Sequence, residues 1–506
     1  MKKDHCYIAC DLGADSGRVM LGKLESGWLT LEEVYRFSNG PAKINGSLRW
    51  DILRIFEELK IGLRKFADKN IPADSLSVDS WGIDYVLLNA RQPMLSLPYQ
   101  YRDARTEAPY ATALETYGSE RIFSETGIQF MPINTLYQLM DDVEHNSDLL
   151  AVADQFLLVG DYLNFLFSGV ARAEESLAST TQIYNPKSRA WSQQLIRDFQ
   201  FPAALFPEIV KSGTVLGPMT PAIEEETGLS GIQVVAACSH DTGAAVAAVP
   251  AEGDDWAYLS SGTWSLIGVE LQAPLINEAV REQNFTNEAG YAGTTRFLKN
   301  IIGLWILQEC KRDWARDGHH LDYSEIDRLA DEALPFRSLI NPNAPRFLSP
   351  GSMPEKIASY CEETGQAVPE SPGQFARCIY ESLALRYRTT LDQIEELIGR
   401  NISRLHIVGG GSKGSLLNQF AANATGRTVL AGPVEATACG NVLIQALALG
   451  HLPNLAALRD VVRTSFSIRT YQPEQSDEWR EASIRFASLK TLNPLLQTPA
   501  CPSPNK

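Results

Sequence analysis

A chain of 506 residues is more than one domain's worth, at roughly 100–200 residues per domain. Its 44% apolar and 21% charged residues are ordinary for a globular chain able to bury a large core. A net charge of −16 excludes a single basic field for nucleic acid and a polybasic membrane anchor.

The eight cysteines form no Cys-x-x-Cys pair, so no zinc or redox motif is indicated. The N-terminal residues lack the apolar stretch of a signal peptide, and no uninterrupted apolar run is long enough to span a bilayer. The expectation is a soluble cytoplasmic protein with reduced thiols. Cys361 and Cys378 would pair only if the fold brought them together, which the sequence leaves open.

In chain order, residues 6–12, 18–24 and 28–37 read as strands, because apolar runs broken by Gly and Asp signal hairpins. Ile52, Ile55, Phe56, Leu59, Leu63 and Phe66 then recur at helical spacing between Asp51 and Lys69. A strand over 75–78 leads into Asp79-Ser80-Trp81-Gly82-Ile83-Asp84. Strands and helices alternate from there, as in an α/β protein. A small-residue strand at 234–238 precedes Ser239-His240-Asp241-Thr242 and a Gly/Ala-rich helix ending at Pro250. Residues 251–255 are a polar break, near which a domain boundary is expected. Strand 257–259, the turn Ser260-Ser261-Gly262-Thr263 and strand 264–269 then repeat the opening strand–turn–strand device, which suggests two related domains. The second half is more helical. A helix is expected over 375–398, a strand over 405–408 before Gly409-Gly410-Gly411, a helix from Ser415 to near Gly426, a strand at 428–430 and a last helix over 437–449. The tail 491–506, with several Pro, Asn and Ser, is expected to fray.

Five motifs could carry chemistry. In Gly13-Ala14-Asp15-Ser16-Gly17-Arg18, glycines permit a tight path whose N–H groups can converge on phosphate, with Ser16 and Arg18 as further donors. Asp11, ending the strand before it, could hold Mg²⁺ through water. The turn at Thr263 could bind a second phosphate; either turn could equally be a plain hairpin. Gly409, Gly411 and Gly414 match G-x-G-x-x-G, with Glu435 about 20 residues on, which fits a nicotinamide dinucleotide site. The same glycines also fit a turn packed against an adenine ring. Asp241, at the start of a small-residue helix, suits a general base whose anion the helix N-terminus favours, or a helix cap. Trp81 and Gly82 suit a sugar pocket, or a core tryptophan beside a turn.

Taken together, these segments resemble the FGGY carbohydrate kinases of the actin/hexokinase/Hsp70-like ATPase superfamily. The resemblance is carried by residues 11–21, 80–84, 127–130, 134–139, 239–242, 258–266, 298–301, 405–411 and 431–436. It implies an α/β fold of two actin-like (ribonuclease H-like) domains with a catalytic cleft between them. The first would span 1–248 and the second 249–490. It implies ATP and Mg²⁺ as cofactors and a ketose phosphorylated at its C1 hydroxyl. L-Rhamnulose is the expected ketose, with L-fuculose, L-ribulose and D-xylulose as alternatives. Asp241 would be the base, and Trp81, Gly82, His240 and Thr242 would lie in the sugar site. Ala14, Asp15, Ser16, Gly17, Arg18, Thr263, Asn300, Gln308 and Gly410 would bind ATP, with Asp11 towards Mg²⁺. Asp15 stands where the family usually has Ser or Thr. The expected state is a monomer or homodimer with small-molecule partners only. A nicotinamide-dependent oxidoreductase and a catalytically silent sugar or nucleotide sensor remain the readings from other classes.

Overall fold

The computed structural model describes residues 4–474 and 477–489; the tail 491–506 expected to fray lies outside them. The chain divides into two compact units. One comprises Met1–Asp254, Gly268–Lys299 and Gly432–Ile468. The other comprises Asp255–Ile267, Asn300–Ala431 and Arg469–Lys506. The chain therefore passes from one unit to the other in mid-strand, within Trp264–Leu271 and Thr295–Ile302.

The first unit is built on a six-stranded sheet. Its order is Thr214–Pro218, Gln233–Ala236, Ser75–Asp79, His5–Leu12, Ser16–Glu25, Trp28–Ser38. The three N-terminal strands form the expected antiparallel meander, and Ser75–Asp79 joins His5–Leu12 in parallel. Helix Ile52–Ala67 begins where Asp51 accepts the Arg54 N–H at 3.2 Å, an ordinary N-cap. Its Gly62 lies against Val19, where a methyl would come within 2.4 Å of the valine. Gly22, on the opposite face of the same strand, lies equally close to Val442 of helix Ala436–Ala448. Helices thus cover both faces of the sheet, which explains why strands Ser75–Asp79 and His5–Leu12 are buried on both faces, Ser75, Ser77 and Asp79 included. Helix Asp241–Ala247 also packs on Ala436–Ala448, and Gly440 against Ala244 permits that close contact.

In the second unit, strands Trp256–Ser261, Arg404–Val408 and Thr428–Ala431 run parallel in that order, and Arg469–Tyr471 adds antiparallel at the edge. Helix Pro372–Ile398 starts at a Ser371 cap with Pro at its first turn and ends on Gly399 in the left-handed region (φ 64°). Two helices lie beyond the last one expected from the sequence, Leu455–Ser465 in the first unit and Asp477–Leu489 in the second. Leu458, Val461 and Val462 of the former are buried at helical spacing, so the signal was present. Ser260 and Ser261 belong to strand Trp256–Ser261, which shortens the second turn to Gly262 and Thr263. Cys361 and Cys378 are buried free thiols, not a disulfide. Among the described residues, no helix is long and apolar enough to cross a membrane.

Candidate active site

The first unit gathers carboxylates at the ends of two adjacent strands. The parallel register sets Asp11 beside Asp79, and the antiparallel register sets Asp11 opposite Arg18. Residues paired this way share a face of the sheet. The Arg18 guanidinium accordingly bridges Asp11 and Glu435. It is committed to carboxylates rather than left as the free phosphate donor the loop suggested. Asp79 is fully buried; its Oδ2 accepts from Asn441 Nδ2 at 2.6 Å, and its Oδ1 has no partner. Burial and the Asp11 charge hold the Asp79 carboxyl well above the carboxylate range. Burial also raises Asp11, against the pull of Arg18.

Asp241 stands next to this pair. The turn before its helix is sewn to the segment carrying Trp81 and Gly82: Ser80 N–H donates to the Ser239 carbonyl, and Asp241 N–H to the Ser80 carbonyl, both at 2.9 Å. Glu174, buried, accepts the Ser239 N–H at 3.0 Å and fixes the turn from behind. The helix cap is His240, and Asp241 is the first helical residue, so the capping alternative does not hold. Its Oδ1 accepts from the Thr242 N–H at 2.5 Å and from Thr242 Oγ1 at 3.1 Å. The side chain is half-buried, with 31% of its surface accessible. Burial nevertheless outweighs those hydrogen bonds, and with the nearby Asp11 charge it pushes the carboxyl up to about 7. The stabilised anion expected at a helix N-terminus is thus replaced by a carboxyl poised to exchange a proton near neutrality.

Trp81 is nearly buried, packed on Trp50 at 4.2 Å between ring centroids. Both indoles donate to Asp84 Oδ2, at 3.0 Å and 2.6 Å, and Gln138 donates to Asp84 Oδ1 at 3.0 Å. Gly82 is required by the protein itself, since a Cβ there would lie 2.7 Å from Thr180 Oγ1. The 13–15 turn is pinned by Asn39, whose amide nitrogen donates to the Gly13 carbonyl and whose backbone N–H donates to the Asp15 carbonyl, both at 2.9 Å. Ala14 and Ser16 are half-buried, Asp15 is exposed, and Gly17 packs under Phe37.

The remaining site candidates, Thr263, Asn300, Gln308 and Gly410, lie in the second unit. The Thr263 carbonyl accepts the N–H groups of Gly303 and Trp305, at 3.2 and 3.1 Å, and so holds the start of helix Trp305–Arg316. That helix carries Gln308, whose Oε1 is buried without a partner. Gly409, in the left-handed region (φ 81°), and Gly411 pack on Ser261; a Cβ on Gly411 would come within 2.0 Å of Ser261 Oγ. A Cβ on Gly410 would meet nothing within 4 Å, so this peptide faces open space. Glu435, the acidic residue a dinucleotide site would need for ribose, is taken by Arg18 in the first unit.

Asp79, Asn441, Glu288 and Arg296 are functional candidates the sequence motifs did not supply. Only Asp79 carried a signal, as a carboxylate ending a buried strand just as Asp11 does.

Two actin-like signatures, each a strand–turn–strand with a small-residue turn, combined with a half-buried aspartate at the head of a helix, describe a phosphotransferase. The chain belongs to the FGGY family of carbohydrate kinases: the family's N-terminal domain model matches residues 6–248 and its C-terminal domain model residues 257–449. Among curated proteins it is 42% identical to a rhamnulokinase of Enterococcus faecalis over 484 residues, covering 94% of this chain and 97% of that one. It is also 42% identical to a rhamnulokinase of Bacteroides thetaiotaomicron (95% and 98% covered), and 38% identical to one of Bacillus subtilis (93% and 96% covered). Among solved structures, ligand-bound xylulose kinase from Lactobacillus acidophilus superposes with a TM-score of 0.78 at 16% identity, covering 96% and 97% of the two chains. Plasmodium falciparum glycerol kinase with ADP gives 0.77 at 14% identity, covering 96% and 98%. These two likenesses speak for the fold, a two-domain mixed α/β architecture. The oxidoreductase reading is not favoured, and its glycines fall within the kinase family's C-terminal domain.

Proposed function

We propose that the chain transfers the γ-phosphoryl group of ATP to the C1 hydroxyl of L-rhamnulose, giving L-rhamnulose 1-phosphate and ADP in L-rhamnose catabolism. The substrate rests on rhamnulokinases 38–42% identical over nearly the whole chain. The chemistry rests on one observation, a partly exposed Asp241 carboxylate whose Oδ1 is held by Thr242, on a turn hydrogen-bonded to Ser80 directly after Asp79.

Asp241 accepts the proton of the C1 hydroxyl as the oxygen attacks phosphorus. A base works best when its pKa lies near the working pH. The two hydrogen bonds from Thr242 fix Oδ1, which leaves Oδ2 for the hydroxyl proton. His240, Thr242, the Gly82 backbone and the edge of Trp81 hold the sugar. The Ala14–Gly17 turn, with Asp15 and the Arg18 backbone at its margin, binds phosphates, as does Thr263. Asn300, Gln308 and Gly410 hold the rest of the nucleotide. The open peptide at Gly410 and the unpartnered Gln308 Oε1 suit a ligand that brings a flat ring and an N–H donor.

The donor set at Asp11 and Asp79 fits Mg²⁺. Carboxyls raised by burial, Asp79 further by the Asp11 charge, with one Asp79 oxygen unpartnered, are what a hard hydrated cation relieves. Asp11 would hold it through water, with Asp79 behind. Bound there, the ion would neutralise charge developing on the phosphate oxygens. The proposed domains are 1–248 and 249–490, in a cytoplasmic monomer or homodimer.

A coupled ADP-release assay over L-rhamnulose, L-fuculose, L-ribulose and D-xylulose tests the reading. The highest kcat/KM is expected for L-rhamnulose, and no turnover with it would overturn the substrate. Asp241→Asn should lower kcat at least ~10²-fold, the contribution of a positioned base. Near-normal turnover by the folded variant would remove Asp241 from the role.

A further inference from the structure

Behind His240 runs a line of buried polar groups that the reaction as described does not use. Arg296 is completely buried and Glu288 nearly so. The two pair through Arg296 Nη1 and Glu288 Oε2 at 3.1 Å, and Arg296 Nε donates to the Ala289 carbonyl at 3.0 Å. The guanidinium is thereby held so that Nη2 lies 3.0 Å from His240 Nδ1. On its far side the ring presents Nε2 to Asp241 Oδ1 at 3.4 Å.

The donor inventory settles the ring's protonation. A guanidinium only donates. At 3.0 Å, His240 Nδ1 must therefore accept, and the ring proton sits on Nε2. The opposite tautomer would set donor against donor at Arg296. It would also set a ring lone pair against a carboxylate oxygen at Asp241. A doubly protonated ring would repeat the first clash, and Glu288 Oε2, 3.6 Å from Nδ1, is too far to receive that proton. Burial and the Arg296 charge hold the imidazole well below its ordinary range, in the same sense.

We infer that Arg296, braced by Glu288, is a positioning residue that locks His240 as the Nε2–H tautomer, so that the ring edge facing Asp241 offers a donor to the ketose hydroxyl bound beside it. This rests on the proposed roles of Asp241 and His240. The arrangement spends a fully buried cation on fixing one proton. The Asp241 carboxylate, held by Thr242, then faces a ring edge of fixed polarity before the sugar arrives.

The test is ¹⁵N NMR of the histidine side chains in the full-length enzyme, with the His240 signal assigned by its loss in His240→Gln. The expected result is a neutral ring with its proton on Nε2 across neutral pH. A proton on Nδ1, or a charged ring at neutral pH, would overturn the inference without any Arg296 variant. Arg296→Gln should mix the tautomers and raise the ketose KM about tenfold, the worth of one hydrogen bond, with the ATP KM unchanged. Arg296→Lys, which restores a cationic donor, should recover the tautomer. If loss of the Arg296 charge beside Glu288 prevents Arg296→Gln from folding, the double variant with Glu288→Gln removes that buried charge and is read the same way. A folded Arg296→Gln enzyme with the wild-type tautomer and ketose KM would refute the positioning role. The base assignment fails separately: full turnover by Asp241→Asn would displace Asp241 yet leave the His240 tautomer as measured.

Discussion

The contact that sets Asp241 in place is between backbones, and one methyl group tests it. Helix Asp241–Ala247 lies on helix Ala436–Ala448 at Gly440, where an added Cβ would stand 1.9 Å from the Ala244 carbonyl oxygen and 2.5 Å from its carbon. Carbon–oxygen contacts of this kind settle near 3.3 Å, so the helices must separate by about 1.4 Å. The obstacle is main chain and cannot rotate away. Overpacking of this sort costs about 1–3 kcal/mol, and Gly440→Ala belongs at the upper end. Asp241 is three residues from Ala244 on the same short helix and moves with it. A displacement of about 1 Å at a reacting group costs about 10²-fold in rate. Gly440→Ala should therefore lower the denaturation midpoint and reduce kcat by one to two orders of magnitude, in enzyme shown by circular dichroism to be folded. The measurements are a thermal or urea melt and the coupled ADP-release assay. A variant that melts and turns over like the wild type would refute the reasoning, because it would mean the two helices are not in backbone contact.

Two further outcomes follow from the same geometry. The carboxylate of Asp241 is the active form and its carboxyl lies at about 7, so kcat/KM should be full above neutrality and fall about tenfold per pH unit below it. His240, held well below its ordinary range, adds no limb there. A profile flat between pH 6 and 8 would contradict the assignment. In the second unit, Gly411→Ala would drive a methyl into Ser261 Oγ and displace the Gly410 peptide. It should raise the ATP KM about tenfold with the ketose KM unchanged, and equal effects on both would count against a nucleotide role for this turn.

Much of the fold can be read along the chain, because it is set by local rules. The opening meander follows from apolar runs cut by Gly and Asp, and the long helix Pro372–Ile398 from Ser371, Pro372 and Gly399 at its ends. Turn boundaries were less legible. Ser260 and Ser261 look like turn residues but belong to a strand, since the parallel strand Arg404–Val408 pairs Val408 with Ser260. The motifs also located Asp11, Asp241 and the glycine turns, and they left Arg18 as a donor to phosphate. Its true partners are Asp11, seven residues away, and Glu435, 417 residues away.

What the sequence by itself determined is therefore the order of elements, the family, and which residue types stand at each strand end. Only the tertiary structure decided their chemical state. An aspartate at the head of a helix reads as a stabilised anion or a cap, yet here it is raised to about 7 because burial and the neighbouring Asp11 outweigh its two hydrogen bonds. His240 reads only as a sugar-site residue, yet Arg296, 56 residues further on, stands 3.0 Å from its Nδ1. Desolvation, charge coupling and donor–acceptor matching depend on distance through space, and no local pattern encodes that distance.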